Sequence, residues 1–99
     1  MSEELTVIAR LKAKSGMEDI VGESLKRLIE PTRAEAGCLE YVLHRDNNNP
    51  AIWILYERWL SRAALDAHFQ QPYMQQLLER APQMLDEGVE LTFATNIPI

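Results

Sequence analysis

Sulfur chemistry is nearly absent from this chain: Cys38 is its one cysteine, so no internal disulfide can form. Long apolar runs are missing too. Nothing approaches the roughly 20 residues a membrane-spanning helix needs, and the opening Met1-Ser2-Glu3-Glu4 is acidic where a secretory leader is basic. A cytoplasmic location without a membrane partner is therefore expected. Basic residues are outnumbered, 10 Lys and Arg against 15 Asp and Glu, and the formal charge of −5 argues against a nucleic-acid partner. Phosphate backbones are bound by clustered cations, not by a net negative field. The two histidines show no His-x-x-x-His spacing, so no metal centre is expected. No glycine-rich phosphate loop is present, flavin and nicotinamide are not implied, and no cofactor is expected.

What is present describes an ordinary folded protein. Apolar residues at 46% and charged residues at 25% exclude wholesale disorder and a collagen-like repeat. A single domain is expected over 1–99, with its core at about 5–95. The partner expected of such a chain is a small molecule or another copy of itself.

Residues 5 to 13 alternate, with Leu5, Val7, Ala9, Leu11 and Ala13 on one face, as in a half-buried strand. Ser15-Gly16-Met17-Glu18 fits a capping box, which predicts a helix starting there. Ile20, Val21, Leu25, Leu28, Ile29, Thr32 and Ala36 keep helical spacing up to Gly37, and Pro31 is expected to kink or divide the run. Cys38 to Arg45 reads as a second strand and Ala51 to Leu60 as a third. The turn formers Asp46-Asn47-Asn48-Asn49-Pro50 make them a hairpin. Ser61 caps a helix that Pro72 interrupts, and a further helix runs from Tyr73 to about Leu85, with Pro82 bending or ending it. Val89 to Thr95 alternates as a last strand.

This order is an approximate duplication of a β-α-β unit. It predicts an α+β, ferredoxin-like β-α-β-β-α-β sandwich, a four-stranded antiparallel sheet with helices on one face. The third strand is almost continuously apolar, through Ile52, Trp53, Ile54, Leu55, Tyr56 and Trp59, as expected of a strand covered on both sides. One subunit covers only one side. Exposure of Ile52, Ile54 and Tyr56 on the other predicts a homodimer closed through its sheet faces.

Four segments together are distinctive: Ala9-Arg10-Leu11-Lys12-Ala13-Lys14-Ser15-Gly16, Pro31-Thr32-Arg33-Ala34-Glu35-Ala36-Gly37-Cys38, Tyr56-Glu57-Arg58-Trp59, and Leu65-Asp66-Ala67-His68 followed by Pro72. The chain resembles the antibiotic biosynthesis monooxygenase family, especially its small bacterial quinol-monooxygenase-like members, from about Leu5 to Phe93. The resemblance implies a dimeric α/β barrel. The family also contains haem-degrading enzymes, which use an Asn on the first strand, a Trp on the helix after the third, and a His about ten residues further. Ala9, His68 and Leu78 stand at those positions here, so haem degradation is not expected.

If Ala9 and Leu11 face the helices, the resemblance places Trp53, Leu55, Glu57 and Trp59 on that side as well. A carboxylate on an apolar face must find a partner or take up a proton, so Glu57 is expected either to pair or to carry a raised pKa. His68 is the expected partner, and a Glu57–His68 pair would fix the imidazole tautomer for general-base work. The competing reading is a polar contact that merely anchors helix to sheet. His68 and Glu57 are thus the candidate catalytic residues, and Trp59, Tyr73, Trp53 and Leu55 the candidates for holding a small aromatic or quinol-like substrate. His44 reads as a surface residue and Cys38 as an inert thiol. The function implied by the resemblance is a cofactor-independent monooxygenase acting on a quinol or polyphenol. A small-metabolite isomerase and a non-enzymatic dimeric ligand-binding module remain open on the same scaffold.

Overall fold

The computed structural model describes residues 3–99, so the acidic opening's Met1 and Ser2 lie outside the described residues. The elements run β1 (Leu5–Lys12), α1 (Glu18–Arg33), β2 (Cys38–Arg45), β3 (Ile52–Trp59), α2 (Arg62–Phe69), α3 (Pro72–Met84) and β4 (Glu90–Ala94). The sheet order is β2-β3-β1-β4, antiparallel throughout. This is the expected ferredoxin-like arrangement, with the second crossover made by two helices because Pro72 occupies the first turn of α3.

The two-residue period of the strands sorts their side chains as the sequence requires. Val7, Ala9 and Leu11 of β1 and Trp53, Leu55, Glu57 and Trp59 of β3 are all buried. Val21, Leu25, Leu28 and Thr32 of α1 are buried with them, and so are Leu65 of α2 and Met74 of α3. β2 and β4 form the sheet edges. The alternating partners of β4, Leu91 and Phe93, remain exposed, and Phe93 carries the Arg62 guanidinium over its ring at 4.7 Å.

Several local expectations shift. α1 begins at Glu18 with Met17 as its cap residue, and Ser15 makes no capping bond. Gly16 adopts φ +87°, a left-handed turn between Ser15 and the helix, and the predicted box does not form: the Glu18 carboxylate accepts from the Gly16 amide at 3.1 Å instead of the Ser15 amide. Pro31 does not divide α1. It lies in the last turn, and the helix ends at Arg33, short of Gly37. Ser61 caps α2 as expected, its hydroxyl accepting from the Ala64 amide at 3.2 Å. In the hairpin turn Asp46 Oδ1 accepts from the Asn48 amide at 2.7 Å. Among the described residues no helix is long and apolar enough to cross a membrane.

Candidate active site

Among the described residues, Glu57, His68 and Thr32 are buried polar or charged side chains. His68 sits on the inner face of α2, three residues after the core residue Leu65, and its ring is 1% exposed. Aromatic rings enclose it. Trp59, from the last position of β3, lies tilted against the imidazole with centroids 4.6 Å apart. Tyr41 of β2 meets it edge-on at 5.7 Å, Phe69 at 5.6 Å and Tyr73 at 6.4 Å.

The carboxylate on this imidazole is not the expected one. His68 Nδ1 lies 2.7 Å from Glu35 Oε2, and the Tyr73 hydroxyl donates to the same oxygen. Glu35 stands in the turn between α1 and β2, which is held by the Glu35 amide donating to the Thr32 carbonyl and the Cys38 amide to the Glu35 carbonyl. The Tyr73 hydroxyl also reaches the Pro31 carbonyl at 3.3 Å. Glu57 is occupied elsewhere: its Oε1 accepts from the Trp59 indole N–H at 2.8 Å. The reason is the strand period. Residues 57 and 59 project side by side from one face of β3, so the indole meets the carboxylate first, while the turn after α1 brings Glu35 over α2.

The electrostatics follow from this packing. Burial pushes the Glu57 carboxyl up to about 7, the Trp59 N–H pulls against that rise, and the nearby Glu35 carboxylate adds to it. The sequence reading offered a partner or a raised pKa; Glu57 has the Trp59 indole as its partner, and burial raises the carboxyl as well. Burial also lifts the Tyr41 phenol well above its ordinary range, and the Tyr73 phenol likewise, helped there by its bond to Glu35. Thr32 Oγ1 is fully buried and makes no hydrogen bond of good geometry, yet stands close enough to both phenols to counter part of their rise. Glu35 on Nδ1 fixes that nitrogen as the donor and leaves Nε2 as the acceptor, the tautomer a general base needs.

The remaining candidates separate. Tyr73 joins the cluster, through Glu35 rather than by contact with His68 alone. Trp53 lies six residues back along β3, about 20 Å from Trp59 at the usual strand rise. There its indole donates to the Glu18 carbonyl at 3.1 Å and Arg45 stacks on its ring at 4.4 Å. Leu55 is buried between the two tryptophans. His44 is exposed, and its Nδ1 lies 3.2 Å from the Val42 carbonyl. Cys38 is half-buried, and burial raises its thiol. Among the described residues no group of three or more His, Cys, Asp or Glu is arranged to hold a metal ion. Glu35 is the residue that the sequence reading missed. Its segment stood among the distinctive ones, but nothing local marks a turn glutamate as a partner for a histidine 33 residues away.

Comparison with known proteins places the chain in a family. Protein sll1783 of Synechocystis is 32% identical over 89 residues, covering 90% of this chain but only 60% of that protein, so the chain spans less than two thirds of that relative's length. "Putative monooxygenase Rv0793" of Mycobacterium tuberculosis is 32% identical over 92 residues, covering 93% of this chain and 90% of that one. Its solved structure matches with a TM-score of 0.90 at 29% identity, over 97% of each chain. The crystal structure of PA3566 from Pseudomonas aeruginosa matches with a TM-score of 0.93 at 31% identity, over 99% of this chain and 98% of that one. The family model for the antibiotic biosynthesis monooxygenases matches residues 4–80. The chain belongs to the antibiotic biosynthesis monooxygenase family.

Proposed function

We propose that this protein is a cytoplasmic, homodimeric monooxygenase that oxidises an electron-rich phenol, such as a quinol, with molecular oxygen and without a cofactor. The observation that carries this reading is the 2.7 Å contact of His68 Nδ1 with Glu35 inside an aromatic enclosure. Oxygen reacts sluggishly with closed-shell molecules, but a phenolate gives up one electron readily. The protein's task is then to deprotonate the substrate and hold it. His68 Nε2 takes the hydroxyl proton, and Glu35 stabilises the imidazolium through Nδ1. Tyr73 keeps the Glu35 carboxylate in place. The phenolate passes an electron to oxygen, the resulting pair combines through a new C–O bond, and the hydroperoxide loses water as His68 returns its proton. The substrate supplies all four electrons: one hydroquinone and one oxygen molecule yield one hydroxyquinone and one water. Glu57, poised near neutrality beside Trp59, is the second proton-carrying group available there.

The open face of the sheet supports the dimer. Val42, Tyr56 and Ile8 form one paired row across β2, β3 and β1, next to Ile54; Ile8 is 39% exposed, whereas Ile52, expected to be exposed on this face, is buried at 5%. A second reading, a ligand-binding module, is favoured by the near-complete burial of His68.

Oxygen consumption with a hydroquinone, on protein treated with chelator, separates these readings. The expected result is uptake with a product carrying one more oxygen, reduced roughly 10²-fold or more by His68→Ala. Uptake indifferent to that substitution overturns the role of His68. A product of unchanged mass indicates isomerisation, and a raised melting temperature without turnover indicates binding alone.

A further inference from the structure

The groove between α1 and α3 gathers positive charge on a chain whose net charge is −5. A cleft of about 230 Å³ lies there, lined by Ser24, Arg27, Tyr73, Gln76, Arg80 and two leucines, with no carboxylate among its walls. Among the described residues neither Arg27 nor Arg80 has an ion-pair partner. The adjoining cleft shares Ser24 and both arginines and adds Asp19 and Glu23. Those acids are engaged elsewhere, Glu23 with Lys26 at 3.2 Å and Asp19 with Arg45 at 3.8 Å. The Ser24 hydroxyl donates only to the Met84 thioether, a weak acceptor at 3.7 Å.

Two guanidiniums, a hydroxyl held by a poor partner and a side-chain amide, lining one cleft with no carboxylate in its own walls, are a donor set that recognises a small oxyanion. We infer that the α1–α3 cleft binds a small organic or inorganic anion, a carboxylate or a phosphate, held chiefly by Arg27 and Arg80. The leucines in its lining suit a ligand that carries an apolar body behind the charged group. Tyr73 forms one wall of this cleft while its hydroxyl bonds Glu35, so the anion site borders the His68 cluster through a single side chain. The inference stands on the cleft's own residues and is independent of the oxygen chemistry proposed for His68.

Nuclear magnetic resonance titration of the full chain, at fixed ionic strength in chloride, tests it with two probes, inorganic phosphate and benzoate. The expected result is a saturable shift of the Ser24 and Gln76 signals with at least one probe. Binding should weaken roughly tenfold or more in the Arg27→Gln/Arg80→Gln double variant. Arg27→Lys/Arg80→Lys, which keeps charge but loses the forked donors, should fall between. Removing equal charge elsewhere, by Lys12→Gln/Arg62→Gln, should leave affinity within about twofold. Saturation by benzoate alone marks a carboxylate site and by phosphate alone a phosphate site. Absence of saturable shifts with both probes, or equal affinity in the Gln double variant, overturns the inference.

Discussion

Glu57 makes a buried carboxyl group into a pH-dependent element of the fold. Its pKa in the folded chain is about 7, above the ordinary 4.5, so the folded state holds this proton more tightly than the unfolded one. The group's stabilising contribution is therefore complete below about pH 4.5 and is lost as pH rises through about 7. The swing is on the order of 3 kcal/mol. Glu57→Gln keeps an acceptor for the Trp59 N–H and removes the titration. Urea unfolding at pH 5 and pH 8 should show the wild type losing more stability than the variant, and parallel losses would exclude ionisation of Glu57 in that range. Residue-scale chemistry was half legible in the sequence. The alternation of β3 announced a carboxylate on an apolar face, and His68, on the helix that follows, was named as a candidate. The Glu35–His68 pair was not legible, because it joins a turn to a helix through tertiary packing that no local period encodes.

At the scale of elements, α1 approaches β3 closely enough that its backbone needs a glycine. A Cβ built on Gly22 would stand 2.4 Å from Trp53 Cζ2, and the Trp53 indole is pinned by its bond to the Glu18 carbonyl. Gly22→Ala must push the ring or the helix aside, and about 1–3 kcal/mol of destabilisation is expected. A lowered melting temperature with quenched or shifted tryptophan fluorescence would report it, whereas unchanged stability would mean that Trp53 has a second resting place. Glycine inside an apolar helical pattern signals such an approach in the sequence only as an oddity, since it reads equally well as a weak helix position. The strands and helices themselves were largely legible from periodicity. Their ends were not, as Gly16 shows: its left-handed backbone displaced the predicted cap by two residues, and backbone handedness leaves no trace in an apolar pattern.

For the whole molecule, the open sheet face and the enclosed imidazole make separate demands. If two copies meet through the rows containing Ile8, Val42, Ile54 and Tyr56, Ile54→Lys places a charge amid that contact and should give a monomer by sedimentation, with the far-ultraviolet circular dichroism retained. Wild-type protein that sediments as a monomer at micromolar concentration would remove the face-to-face arrangement altogether.

The shuttered state of His68, with Trp59 fully buried beside it, sets a toll on every visitor. If the proposed substrate is to meet that ring, the cover made by α2 and its neighbours must open, and with the receptive form populated at about one part in a hundred, apparent affinity falls roughly a hundredfold below the intrinsic value. Loosening the Gln70–Gln71 joint with glycine should speed entry while lowering the melting temperature, trading robustness for hospitality.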